Sequence, residues 1–227
     1  MSKIKVHIRG KMGVQVIQAF VGLSTVNDGE EPLIVVNTGG NLAYDSSSKV
    51  QLLFHPFVDI IEQDEIRKTP YWLPGATSRA FKTRKRTLSL WLKPKALDYH
   101  TIDCLIHLRG GDKRSMSEDA MKLIVDRAIE THGSAHVCTD DVMMVRSLGF
   151  DHRVSVSPQD SVHDWATILA AKNVYCAPSA FVLSTLLVNP TKRVVVGPID
   201  GCDQSVIAGD VAFIEEARDF CKNLELI

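Results

Sequence analysis

Apolar and polar positions follow two different rhythms along the chain. Over residues 1–98 the rhythm is irregular. Residues 3–8 alternate as a half-buried strand does, pass through Arg9-Gly10-Lys11-Met12-Gly13, and give way to helical spacing over 14–25. Leu33-Ile34-Val35-Val36-Asn37 is a continuous apolar run of the buried-strand kind, stopped by Gly39-Gly40, and residues 50–54 predict a third strand. Prolines and aromatics then crowd into Thr69-Pro70-Tyr71-Trp72-Leu73-Pro74-Gly75, a loop composition. Leu88, Leu90 and Leu92 alternate with Ser89 and Trp91, which predicts a half-buried strand closed by Pro94.

From residue 99 the spacing becomes regular. Strands are expected at 102–108, 135–138, 154–156, 173–176 and 193–196. Helices are expected between them at 117–131, 141–148, 162–172 and 179–188, with a last one at 212–224. Strands alternating with helices predict a mostly parallel sheet covered on both faces. The change of rhythm divides the chain into an N-terminal unit, 1–98, and a C-terminal unit, 99–227.

Composition narrows the class. With 45% hydrophobic residues in 227, the chain has ample apolar material for a packed core in one large domain or two small ones. A formal net charge of -1 gives no global field, so nothing at this level points to nucleic acid or a membrane surface, and any anion site must be a local cluster. No apolar signal core precedes the first strand, and no apolar run approaches the roughly 18 residues of a membrane span. Cys104, Cys138, Cys176, Cys202 and Cys221 are an odd set without a Cys-x-x-Cys pair. They read as reduced structural thiols, and the expected compartment is the cytoplasm.

The candidate chemistry lies at strand ends. In an open α/β sheet ligands bind beyond the carboxyl ends of the strands, and three such ends carry polar clusters: Arg109-Gly110-Gly111-Asp112, Thr139-Asp140-Asp141, and Ala177-Pro178-Ser179-Ala180-Phe181. Arg109 can offer two parallel N–H donors to phosphate oxygens. Gly110 and Gly111 can bring the backbone close to a ligand or take positive φ, and His107 and Asp112 could orient the guanidinium. An Arg109–Asp112 salt bridge in an ordinary turn is the competing reading. Asp140 and Asp141 stand where a helix cap is expected; a carboxylate there could instead read a guanine edge, whereas a metal would need ligands that do not accompany them. Pro178 precedes a helix whose amides from Ser179 onward suit a diphosphate.

In that order, a strand ending His-x-Arg-x-x-Asp, then Thr-Asp-Asp, then a Ser-x-Phe helix start resembles the α1,2-, α1,6- and protein O-fucosyltransferase superfamily. The stretch Asp160-Ser161-Val162-His163-Asp164-Trp165 and the apolar helix after it are similar to that family's segment before its last motif. The resemblance covers residues 102–198. It implies an α/β, GT-B-like fold of two Rossmann-like parallel-sheet domains facing a cleft, the N-terminal one reduced. Residues 1–98 would take the acceptor and 99–227 the nucleotide-sugar donor. It implies inverting, metal-independent transfer of fucose from GDP-fucose to a glycan or other hydroxyl acceptor, with no cofactor beyond the GDP-sugar itself.

On the matching positions, the resemblance makes Arg109 the catalytic residue that grips the diphosphate and helps GDP depart. His107 lies near the nucleoside, with Gly110, Gly111 and Asp112 completing the loop. Asp140 or Asp141, after Thr139, reads guanine, and Ser179 with the amides of Ala180 and Phe181 holds phosphate oxygens. Such a cationic clamp is what the chemistry needs, because charge builds on the diphosphate as the glycosidic bond breaks. The chain has Gly13-Val14-Gln15 where bacterial α1,2 members begin Gly-Asn-Gln, and Ser179-Ala180-Phe181-Val182-Leu183 where they carry Ser-Phe-Ser-Trp-Trp. These departures motivate a second reading, a non-catalytic nucleotide-sugar-binding module descended from such an enzyme.

Two signals carry less. Arg9-Gly10-Lys11-Met12-Gly13 lacks a full Gly-x-Gly-x-x-Gly, and Asn37 stands where a dinucleotide site needs an acid after the second strand. Arg79, Lys82, Arg84, Lys85 and Arg86 form one basic cluster, either a solvated face or a seat for an anionic acceptor. Asp45, His55, Asp59 and Glu62 are the available acceptor bases in the first half.

Overall fold

Two parallel sheets organise the chain. The computed structural model describes residues 3–8, 11–27, 29–37, 59–63, 74–91, 102–110, 116–156 and 161–227. Strands β1 (Lys3–Ile8), β2 (Glu31–Asn37) and β3 (Asp59–Gln63) form a three-stranded sheet in that order. β1 pairs with β2 so that Val6 faces Ile34 and Ile8 faces Val36, and all four are buried. Helix α1 (Met12–Leu23) follows β1 and buries Val16, Ile17, Phe20 and Leu23 at helical spacing. The third strand expected at 50–54 lies outside the described residues. β3 itself went unpredicted, because only Ile60 and Ile61 in it are apolar.

Helix α2 (Ala76–Trp91) corrects the strand expected from Leu88, Leu90 and Leu92. A period of two over three leucines is outweighed by a period of 3.6 over the whole segment. Ala76, Thr77, Ala80, Phe81 and Thr87 are buried, while Arg79, Lys82 and Lys85 are exposed. The Glu216 carboxylate accepts the amides of Gly75 (2.8 Å) and Ser78 (3.0 Å), a cap supplied from far along the chain.

The second sheet holds β4 (Cys104–Leu108), β5 (Ala135–Thr139), β6 (Val154–Val156), β7 (Asn173–Cys176), β8 (Arg193–Val196) and β9 (Leu224–Leu226). Their order is β6-β5-β4-β7-β8-β9, every pairing parallel. The intervening helices are α3 (Glu118–His132), α4 (Val142–Ser147), α5 (Ser161–Ala170), α6 (Ala180–Val188) and α7 (Gln204–Ala217). The five strands expected after residue 99 all form. The last helix begins earlier than expected, capped by the Asp203 carboxylate on the Ser205 amide (2.9 Å), and Leu224 belongs to β9.

β4 is buried at all five positions and feeds two cores. Leu105 joins α1, α6 and α7, whereas Cys104, Ile106 and Leu108 pack with α3, as strand alternation requires. The first core runs without a break from Val6 and Ile34, through α1 and α6, to Val194 and Leu224. One apolar core therefore joins the two sheets, and α1 lying on α6 is the joint.

Candidate functional site

Strand order locates the crevice before any side chain is considered. β4, β5 and β6 step outward one way, while β7, β8 and β9 step the other way, so the order reverses between β4 and β7. At such a reversal the connections leave in opposite directions and open a crevice beyond the strands' carboxyl ends. His107 pairs with Cys176 across that point, so His107-Leu108-Arg109 and Ala177-Pro178-Ser179 emerge side by side.

The three polar strand ends do converge. The Gly110 amide donates to Asp140 Oδ1 at 2.8 Å, which ties the end of β4 to the end of β5. On the other side the His107 and Phe181 rings lie 5.4 Å apart, tilted by 34°, which ties β4 to the start of α6. Asp141 Oδ1 accepts the Met144 amide at 2.9 Å and caps α4, so that carboxylate does the structural work its position predicts. Thr139 Oγ1 accepts the Asp141 amide at 3.0 Å and braces the same turn. Gly111 and Asp112 lie outside the described residues.

Gly110 is required by packing and not by backbone freedom. It does not take positive φ. A Cβ there would come within 2.5 Å of Asp141 Cβ and 2.9 Å of Met144 Sδ, so a side chain is excluded by the β5–α4 turn. Sequence reading could not find that contact, which depends on two strand ends meeting.

His107 is 8% exposed and Ser179 only 4%. Burial holds the His107 imidazole down to about 4, with Asp140 pulling the other way and Arg109 adding to the depression. It is therefore neutral at ordinary pH, with one ring nitrogen to donate and one to accept. Among the described residues, His107 Nδ1 and Ser179 Oγ are both buried without a hydrogen-bond partner, at a cost of about 1–3 kcal/mol each if nothing completes them. Ser179 is the N-cap residue of α6, but its side chain does not cap the helix. Two unsatisfied polar atoms, a neutral imidazole, a helix N-terminus and the half-buried Arg109 thus gather at the strand-order reversal. That set can receive an anion with several oxygens.

The N-terminal sheet reaches the same point. A Cβ on Gly13 would lie 2.4 Å from Phe181 Cα, 2.5 Å from its nitrogen and 2.6 Å from Ala180 carbonyl carbon. The first turns of α1 and α6 are thus in backbone contact, and only glycine allows it. Arg9 and Gly10 lie outside the described residues. Of the acceptor bases considered, Asp59 pairs with Lys3 at the opening residues of β3 and β1, the sheet edge remote from the crevice. Asp45 and His55 fall outside the described residues.

No family model matches the chain, and no curated protein matches it in sequence. Among solved structures it is similar to the E. coli heptosyltransferase WaaC with ADP. The TM-score is 0.50 at 12% identity, covering 98% of this chain and 92% of that one. The fold is GT-B-like. At that identity the likeness speaks for architecture alone: an α/β chain with two Rossmann-like parallel sheets, the N-terminal one showing three strands among the described residues.

All five cysteines are free and buried. Burial, helped at Cys104 by Asp103, raises Cys104 and Cys221 to about 12, and burial also raises Cys138 and Cys176. None is an activated nucleophile. Among the described residues no helix is long and apolar enough to cross a membrane.

Proposed function

We propose that the chain is a glycosyltransferase that takes its sugar from a nucleoside-diphosphate donor bound at the strand-order reversal between β4 and β7. The observation that carries this reading is a pair of buried atoms without a partner among the described residues, His107 Nδ1 and Ser179 Oγ, flanking the N-terminus of α6 beside Arg109. In this reading residues 99–227 bind the donor and residues 1–98 supply the acceptor side. Ser179 O–H, the first amides of α6 and the Arg109 guanidinium donate to the diphosphate oxygens. They matter most as the bond to the sugar lengthens and charge accumulates on the leaving group. His107 stays neutral and donates or accepts without adding a charge.

The finer reading is inverting, metal-independent transfer from GDP-fucose. The ordered His107-x-Arg109, Thr139-Asp140-Asp141 and Ser179-x-Phe181 motifs support it. Asp141 caps α4, whereas Asp140 is tied through the Gly110 amide to the end of β4 beside Arg109, and we assign the guanine edge to Asp140. A second reading, a nucleotide-sugar-binding module without turnover, is favoured by the placement of Asp59 at the remote sheet edge, which removes one of the few acceptor bases. Titration calorimetry with GDP, UDP, ADP and GDP-fucose tests the donor. GDP compounds should bind best, and the fucose assignment fails if UDP or ADP clearly wins. Release of free fucose or its transfer to an added acceptor removes the module reading. GDP-fucose binding without either supports it.

A further inference from the structure

We propose that the exposed face of α2 is a docking surface for an anionic lipid bilayer. This stands apart from the glycosyl-transfer reading and uses a different part of the molecule. Residues 67–97 contain nine of the chain's 26 basic residues and none of its 27 acidic ones. The rest of the chain is left with 17 basic against 27 acidic residues, so a chain of net charge -1 hides a strong internal asymmetry. Composition read as a whole conceals it.

α2 concentrates this charge on one side. Ala76, Thr77, Ala80, Phe81 and Thr87 are buried against the body, and Phe81 stacks on Phe220 at 5.1 Å. Arg79, Lys82 and Lys85, three residues apart, are exposed and make no ion pair among the described residues. They span about 9 Å of helix on the face opposite the buried one. Arg84 is used differently: its Nη1 donates to the Val188 carbonyl at 3.5 Å and anchors the helix.

These anchors also fix where the face lies. Val188 ends α6 and Glu216 lies in the last turn of α7, so α2 is fastened to helix ends that lie away from the crevice. Arg84 sits at the far end of a helix about 13 Å long whose other end is Ser179. The basic stripe is therefore not part of the nucleotide crevice.

A bilayer fits this stripe better than a nucleic acid does. α2 lies flat with its apolar side packed in the core, so it offers a plane and cannot project into a groove. In sequence Tyr71 and Trp72 precede the helix and Trp91 is its last residue, and Tyr and Trp are the residue types enriched at headgroup level. Each cation near an anionic surface strengthens binding about five-fold, within a Debye length of about 10 Å.

Co-sedimentation of the full chain with vesicles tests this, using phosphatidylcholine alone against phosphatidylcholine mixed with phosphatidylglycerol. Binding should appear only with the anionic vesicles and fall as salt is added. Neutralising the stripe with Arg79→Gln, Lys82→Gln and Lys85→Gln should weaken it on the order of 100-fold, and Lys82→Gln alone about five-fold. The thermal midpoint of each variant should stay at that of the wild type, because only exposed atoms change. The proposal is overturned if the anionic vesicles pull down no protein at low salt, or if phosphatidylcholine alone pulls down as much. It is equally overturned if the folded triple variant binds unchanged, or if a single-stranded oligonucleotide of matched phosphate concentration binds more tightly than the vesicles.

Discussion

Replacing Gly13 by alanine tests the joint between the sheets. Judged by helix propensity alone, the change is favourable, because alanine in a helix is better than glycine by about 1 kcal/mol. Packing opposes it. The added methyl would sit 2.4 Å from Phe181 Cα, where ordinary contact begins at 3.4 Å, so the first turns of α1 and α6 must part by about 1 Å. The atoms it meets are helix backbone and cannot swing aside as a side-chain end can. Overpacking of this kind costs typically 1–3 kcal/mol, and the displacement also opens the shared core at Met12 and Val182, both nearly fully buried. The net expectation is destabilisation by about 2 kcal/mol or more, together with weaker nucleotide binding, since the start of α6 moves. Urea denaturation read by circular dichroism measures the first, and calorimetry the second. Gly22→Ala is the comparison: its Cβ would meet the Val6 side chain and not helix backbone, so the loss should be smaller. If Gly13→Ala is as stable as the wild type, or more so, α1 does not pack on α6 in this way and the joint is wrong.

Three further outcomes follow from the same geometry. His107 is held near 4 in the folded chain against 6.5 unfolded, so below pH 6.5 the unfolded chain takes up a proton that the native one refuses. Stability should be fully present above pH 6.5 and fall by about 3 kcal/mol as pH drops toward 4; a His107→Gln variant, measured by urea denaturation across that range, should lose most of the dependence. Asp141→Ala removes the α4 cap and should cost about 1 kcal/mol, with nucleotide affinity changed far less than stability; a large affinity loss at unchanged stability would return Asp141 to the ligand. Glu216→Ala strips two amides at the start of α2 of their acceptor and should cost about 1–2 kcal/mol, read as a lower thermal midpoint, while Glu215→Ala, exposed on the same helix, should be near neutral.

What was legible in the sequence, and what was not, follows from how each element is held. β4, β5, β7 and β8 are parallel strands buried on both faces, so they stand out as short apolar runs ended by polar residues, and those ends marked the crevice. β9 and β3 lie at sheet edges and carry little apolar signal of their own. The end of α2 was read as a strand from three alternating leucines, and the rest of the helix was missed because the small members of its buried face, Ala76, Thr77 and Ala80, have little hydrophobic weight. The candidate site residues were visible as types at strand ends, but their partners were not. Asp140 on the Gly110 amide and Gly13 against Phe181 are contacts between distant segments, and no local pattern encodes them. The two carboxylates after Thr139 were equivalent in sequence; the α4 cap distinguishes them.

The central claim is that a nucleoside diphosphate binds where strand order reverses, against the end of β4 and the start of α6. Amide hydrogen exchange, with and without the tightest-binding nucleoside diphosphate of the calorimetric panel, tests that placement directly. The account predicts slowed exchange in peptides covering Ile106 to Gly110 and Ser179 to Leu183, loss of both effects in Arg109→Ala, and no change along α2. Protection confined to other segments, or unchanged exchange at both of these under saturating nucleotide, would contradict it.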